Sequence, residues 1–463
     1  MFRFTSIIRL SGLVLLLFFL DSCRKDVDDT TQTQFKSAHE YGSEVPLAWN
    51  SLFLEIDRYS PGYRPPAAAR ILGYIGLAAY ESIVDGMHQN KSLSARFAGM
   101  NMPDIQAEKE YHWPTVVNAV YAGMFRYYYP HIRQSDVAKI AALENKFIAE
   151  AAKTVSNEVI VRSQLHGEAI VSEIYDFSKS DFAGHDAFKN PRPSTYDPPK
   201  TGSSGEKLWQ PTFPDYTKAL FPYWGSVRPF AITESDKLAK QPLKWSEDPN
   251  SPFFLQAKEV QVWVEQASYE DLWIAEFWSD DIFELTFEPA ARQVAIANQL
   301  VKEENLSLAK SIELYAKLGM ALCDVGIAVW HSKYVYNVER PVTYIRRIIN
   351  PNWKTHLHNP INNVQGMTPE FPAYPSGHSG FGAAGSAIMA EAFGNSREFV
   401  DKSHAGRTEF KSNPRIYNSL LEAGVENAYS RMPLGVHYRM DCDEGIRLGY
   451  LAARRVHEMP WKK

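Results

Sequence analysis

The chain has 463 residues, of which 45% are hydrophobic and 22% charged, and its formal net charge is −5. That length and composition belong to a globular protein that buries a core and exclude a largely disordered chain. The acidic balance argues against a general nucleic-acid binder, which gathers a basic excess on one face, so any anion site must be local.

The N-terminus reads "MFRFTSIIRLSGLVLLLFFLDSC", with Arg3 and Arg9 ahead of an apolar run over 10–20. The run is too short for a membrane span and has the form of a secretory leader. Cys23 after "LDS" resembles the acylated cysteine of a bacterial lipoprotein, although Asp21 departs from the usual small or apolar residue there. "CRKDVDD" resembles the acidic export signal of surface lipoproteins. The expectation is a signal peptide over 1–23 ending at acylated Cys23, a polar tether over 24–42 and one all-α domain over 43–463. A secreted or cell-envelope location follows, with membrane contact only through the lipid, since no other segment is apolar for about 18 residues. Cys323 and Cys442 then remain, and nothing in their spacing requires or forbids a disulfide.

Helical signals dominate the rest. "RPPAAARILGYIGLAAYESIV" opens on prolines and continues with good helix formers, and apolar residues recur every three or four positions over 104–128 and 134–178. The stretch 180–230 is rich in Pro, Gly and aromatics and predicts a long binding loop or lid. Helices are predicted again over 253–278, 287–303 and 306–338, after Gly377, and over 414–430 and 437–459. With no sustained alternation, the fold class is all-α, one large domain of two stacked helix bundles.

Three clusters in the C-terminal third carry chemistry. In "WHSKYVYNVERPVTYIRR", Lys333 and Arg340 stand seven apart, close to two helical turns, so both can face one anion. Pro341 disfavours helix at Arg340 and places it at a helix end. In "FPAYPSGHSGFGAAGS", Ser376, Gly377 and His378 precede a helix expected to start near Ser379, whose free N–H groups would face the same place. In "NAYSRMPLGVHYRMDCDEG", Pro433 and Gly435 interrupt the helix so that Arg431 and His437 can share a site, while Asp441, four residues on, can fix the His437 ring. Alone, each has a bland reading: a solvated basic face, a capped turn, a satisfied histidine. Together they supply three cations, two histidines, a hydroxyl and a helix start, the set that a tetrahedral oxyanion requires.

The patterns K-x6-R-P, P-S-G-H and S-R-x5-H, here at 333–341, 375–378 and 430–437, resemble the signature shared by type-2 phosphatidic acid phosphatases and vanadium-dependent haloperoxidases. "PPAAARILGYIGLAAYESI" and "IAEFWSDD" over 274–281 are also similar to haloperoxidase segments. The resemblance implies paired four-helix bundles and a vanadate cofactor whose vanadium is bonded by His437. Lys333, Arg340, Arg431, Ser376 and the Gly377 amide would hold its oxygens. His378 would deprotonate hydrogen peroxide so that a halide, iodide or bromide foremost, becomes hypohalous acid, with a small organic molecule as an acceptor. Phosphate could occupy the same site, and an acid phosphatase working through a phosphohistidine at His437 is the alternative. A non-catalytic oxyanion-binding lipoprotein is a further one. Trp330 and Phe371 match aromatic positions beside vanadate in chloroperoxidase- and iodoperoxidase-like members. Glu339 replaces an expected tryptophan and could partly neutralise Arg340.

Other features stay open. Asp280 or Asp281 could pair with Arg431 or end a solvated helix. His356 and His358 form an H-x-H pair without nearby acidic or cysteine partners, and Trp209 and Trp224 would either roof the pocket or belong to the core.

Overall fold

Proline in the first turn or a side-chain cap just before it opens most helices of this chain. The computed structural model describes residues 35–463. The first helices are α1 (Glu44–Asp57), α2 (Pro66–Ile83), α3 (Trp113–Tyr128), α4 (Gln134–Ala151), α5 (Asn157–Lys179) and the short α6 (Phe182–His185). After a long irregular stretch come α7 (Pro252–Glu265), α8 (Tyr269–Phe277), α9 (Pro289–Glu303) and α10 (Leu308–Tyr336). The last are α11 (Pro341–Ile348), α12 (Gly377–Phe393), α13 (Leu420–Tyr429) and α14 (Arg439–His457). Two antiparallel pairs, β1 (His358–Asn359) with β2 (Val364–Gln365) and β3 (Phe399–Asp401) with β4 (Arg415–Tyr417), are the β-strands among the described residues.

The fold is all-α, and the helices form two groups that share α10. In one, α2 runs along α10, with α3 and α5 packed beside it; in the other, α10, α12, α13 and α14 pack on one another. Every residue of α2 is buried, and α10 is apolar around most of its circumference, as expected of a helix enclosed on all sides. Close approach depends on small residues. A side chain at Gly445 of α14 would meet the Ser376 carbonyl at 2.6 Å, so only glycine lets α14 lie against the start of α12.

Some boundaries differ from the sequence reading. The helical pattern over 134–178 is two helices, because Ser156 caps a new one by accepting from the Val159 amide. The segment 253–278 divides likewise at the Ser268 cap. Helix α1, absent from the sequence expectations, has no side-chain hydrogen bond at its Ser43 cap. The leader and Cys23 lie outside the described residues. The expected tether ends earlier than residue 42: Ala38 is fully buried, the Trp113 indole donates to the Lys36 carbonyl at 3.0 Å, and Leu308 N–H donates to the Tyr41 carbonyl at 2.7 Å. Residues 36–463 accordingly form one compact unit. Cys323 and Cys442 are both buried and free.

Candidate active site

Helix α10 ends at Asn337, whose left-handed backbone (φ 47°) turns the chain away. Lys333 sits in its last turns, fully buried, and its Nζ donates to the carbonyls of Pro372 at 2.8 Å and Ala373 at 3.0 Å. Arg340 follows as the extended residue before α11, the conformation that Pro341 imposes. The two cations therefore converge across a break and not along one helix face. Arg340 donates from Nε to the Phe371 carbonyl at 2.9 Å and from Nη1 to the Val436 carbonyl at 2.8 Å.

Helix α12 starts two residues earlier than expected, at Gly377, because Ser376 is its cap: Ser376 Oγ accepts from the Ser379 amide at 3.3 Å. That use of a lone pair leaves the hydroxyl proton free to donate. The Ser376 amide donates to the Asp441 carbonyl at 2.9 Å, which ties the loop to α14. A side chain at Gly377 would press on the Trp330 ring at 3.3 Å.

Between α13 and α14 the chain makes a turn around Gly435, where φ is +83°. Arg431 and His437 come to the same cavity from its two sides. His437 Nδ1 lies 2.9 Å from Asp441 Oδ2, which also accepts from the Tyr438 amide at 3.0 Å. A carboxylate at Nδ1 keeps the proton there and leaves the Nε2 lone pair facing the site, 3.1 Å from Arg340 Nη1. Arg431 Nη2 donates to Asp281 Oδ2 at 2.7 Å, and the same oxygen lies 3.8 Å from His378 Nε2.

The cavity encloses about 410 Å³. Trp330, Phe371, Gly377, His378, Arg431 and His437 line it, while Lys333, Arg340, Ser376 and Asp441 stand directly behind. The Phe371 ring is pinned between cations, 4.9 Å from Lys333 Nζ and 5.0 Å from Arg340 Cζ, and 5.0 Å from the Trp330 ring.

Charge here is out of balance. Three cations face two carboxylates, Asp281 and Asp441. Burial, with Arg340 and Arg431 nearby, holds the Lys333 ammonium well below its usual range. Burial also brings Arg340 down to about 9, leaving it cationic at neutral pH. His378 is pushed down to about 4 by burial and Arg431, and His437 well below its usual value by burial and Arg340. Burial raises Asp441 to about 7. Three buried nitrogens, Arg340 Nη2, Arg431 Nε and His378 Nε2, have no hydrogen-bond partner among the described residues. Surplus cations and unmatched N–H groups around one open lone pair fit a tetrahedral oxyanion such as vanadate or phosphate.

The open features resolve as follows. Asp281 is the partner of Arg431, whereas Asp280 turns away toward Arg292 and His404, each at 3.5 Å. Glu339 does not neutralise Arg340: it accepts from Arg347 Nη2 at 2.8 Å and from the Trp245 indole at 2.6 Å. Trp209 and Trp224 are core residues. The roof comes from the same long loop through Thr212, Thr217 and Leu220, and the Leu220 carbonyl accepts from the Trp330 indole at 3.2 Å and the Tyr334 hydroxyl at 2.6 Å. His356 and His358 line a separate cavity of about 240 Å³, and no group of three metal-ligating side chains occurs among the described residues. Sequence reasoning missed Arg292, Asp401 and His404, which carry no motif.

Residues 313–461 match a family model described as the vanadium chloroperoxidase second helical-bundle domain. The chain is 24% identical to the vanadium chloroperoxidase of Curvularia inaequalis, an alignment covering 87% of this chain and 80% of that one. Among solved structures it is similar to a bacterial vanadium-dependent iodoperoxidase, with a TM-score of 0.77 and 25% identity over 90% of this chain and 96% of that one. It also shares its fold with a bacterial vanadium-dependent chloroperoxidase, with a TM-score of 0.63 and 15% identity over 88% and 95% of the two chains.

Proposed function

We propose that this chain, a member of the vanadium haloperoxidase family, oxidises iodide or bromide with hydrogen peroxide at a vanadate held between Lys333, Arg340, Arg431 and His437. The observation that carries the reading is the surplus of buried, unmatched cationic donors around His437 Nε2. Vanadate, when bound, supplies a Lewis-acidic centre that polarises peroxide without changing its own oxidation state.

The protein's part is electrostatic and positional. Lys333, Arg340 and Arg431 offset the oxyanion's charge, and Ser376 Oγ–H with the Gly377 amide donates to its oxygens. His437 presents Nε2 to the central atom, its tautomer fixed by Asp441. His378, neutral at physiological pH, accepts the proton that hydrogen peroxide gives up; Asp281, 3.8 Å from its Nε2, favours the imidazolium that results. Iodide and bromide are larger and less strongly hydrated than chloride, so they lose less on entering a site walled by Trp330 and Phe371. The similarity to an iodoperoxidase supports the same preference.

The test loads the apo-protein with orthovanadate and measures peroxide-dependent oxidation of iodide, bromide and chloride beside hydrolysis of p-nitrophenyl phosphate. Iodide and bromide turnover is expected. Hydrolysis that vanadate abolishes, with no halide oxidised, would make the protein an acid phosphatase instead. We further propose that the leader and Cys23 deliver the enzyme to the cell envelope as a lipoprotein. Mass spectrometry of its N-terminal peptide should find a diacylated or triacylated Cys23, and a peptide beginning elsewhere without lipid would refute this.

A further inference from the structure

A strip of chain around β1 and β2 separates two cavities. Leu357 and Met367 line the catalytic one, whereas His356 and His358, the neighbours of Leu357 on either side, line the second, of about 240 Å³. The strip is tied across itself: the Met367 amide donates to the Leu357 carbonyl at 3.0 Å, and the Thr355 hydroxyl to the Met367 carbonyl at 2.6 Å. What Nδ1 meets fixes the tautomer of each ring. His356 Nδ1 lies 2.9 Å from the Pro433 carbonyl, and His358 Nδ1 lies 3.2 Å from the His356 carbonyl. A carbonyl oxygen only accepts, so both Nδ1 atoms carry a proton, and in the neutral rings both Nε2 atoms keep a lone pair. Neither Nε2 makes a hydrogen bond among the described residues. Histidine that donates from one ring nitrogen to a backbone carbonyl and offers the other is in the form that ligates metals. The charged groups on this wall satisfy each other, since Glu276 accepts from Lys411 Nζ at 2.7 Å and from the Lys411 amide at 3.0 Å.

We infer that His356 and His358 bind a divalent transition-metal cation, of the zinc or copper kind, through their Nε2 atoms, with water completing its coordination. Two neutral imidazoles suit such a cation and do not suit calcium or magnesium, which take oxygen ligands. No third His, Cys, Asp or Glu joins them among the described residues, so the cation keeps open positions, unlike that of a closed structural zinc centre. The histidines of the catalytic site do not compete for it. Arg340 and Arg431 stand beside both His378 and His437, and Lys333 beside His437, and their charges repel a cation. The bound cation ties His356 to β1 on one face of a strip whose other face walls the catalytic cavity.

The untagged full chain, stripped with a chelator and dialysed, is titrated calorimetrically with zinc chloride. The double variant His356→Gln/His358→Gln should bind one equivalent of zinc less than the wild type, and each single variant should hold that equivalent at least about tenfold more weakly. Excess magnesium chloride should leave it bound. A second measurement needs no variant: pulsed electron paramagnetic resonance of the wild type with one equivalent of Cu²⁺ should show coupling to two imidazoles. An unchanged stoichiometry in the double variant, single variants that bind as tightly as the wild type, displacement by magnesium, or copper coupled to one imidazole or none would each overturn the inference. Neither measurement requires turnover, so its outcome is independent of the haloperoxidase reading.

Discussion

Arg292 and Arg340 are both fully buried arginines near one cavity, and their surroundings differ in kind. Arg292, on α9, meets Asp401 at 3.0 Å and Asp280 at 3.5 Å, contacts His404, and lies over the rings of Phe277 and Trp278. Burial opposes its charge, but the two carboxylates more than offset that, and its pKa is raised. Arg340 has carbonyls, an imidazole and the Phe371 ring as neighbours and no carboxylate in hydrogen-bond contact, and burial lowers it to about 9. The first cluster gives its cation two carboxylate partners from different segments of the chain. The second is incomplete, and what completes it is a ligand. The two meet at adjacent residues, since Asp280 serves Arg292 and Asp281 serves Arg431.

This contrast can be broken or sharpened by variants, beginning with the largest effect. His378→Ala should lower vanadate-loaded turnover by about 10²–10⁴-fold while calorimetry shows vanadate still bound. Equal loss of binding would move His378 from proton transfer to anion holding. Arg292→Met should cost about 3–5 kcal/mol in urea unfolding, because two buried carboxylates lose their partner. Arg340→Met should weaken vanadate binding about a hundredfold, roughly 3 kcal/mol, yet change the apo-protein's stability by no more than about 1–2 kcal/mol. Comparable destabilisation by both arginine variants would erase the distinction.

The pH prediction is smaller. His378 in the anion-free protein should titrate by NMR near 4, below the usual 6.5, so its contribution to stability is present above about 6.5 and lost as pH falls toward 4. Bound phosphate should move that midpoint upward by about one pH unit, since a nearby negative charge favours the imidazolium. Smallest of all, Glu339→Gln should leave halide turnover within about twofold, because Glu339 serves Arg347 and Trp245.

The sequence was most legible where chemistry follows chain order. Lys333, Arg340, Ser376, His378, Arg431, His437 and Asp441 stand in short spaced patterns, and local rules sufficed to propose that they meet: proline after Arg340, a cap before α12, four residues between His437 and Asp441. The fold class was readable from apolar periodicity, and helix ends less so, because caps such as Ser156 and Ser268 interrupt patterns that look continuous. The Arg292 cluster was not readable. Its members come from positions 280, 292, 401 and 404, and only tertiary packing brings them together. The choice between Asp280 and Asp281 was equally hidden, since neighbouring residues at a helix end can point either way.

The sharing of α10 between the two helix groups bears on how such a protein could be divided. The match to the second helical-bundle domain begins at residue 313, inside a helix that starts at Leu308 and whose buried flank lies against α2. A fragment cut at that border would lose the α10 cap at Ser307 and bare an apolar surface. The border of the matched stretch and the border of the packed unit therefore fall in different places along this chain.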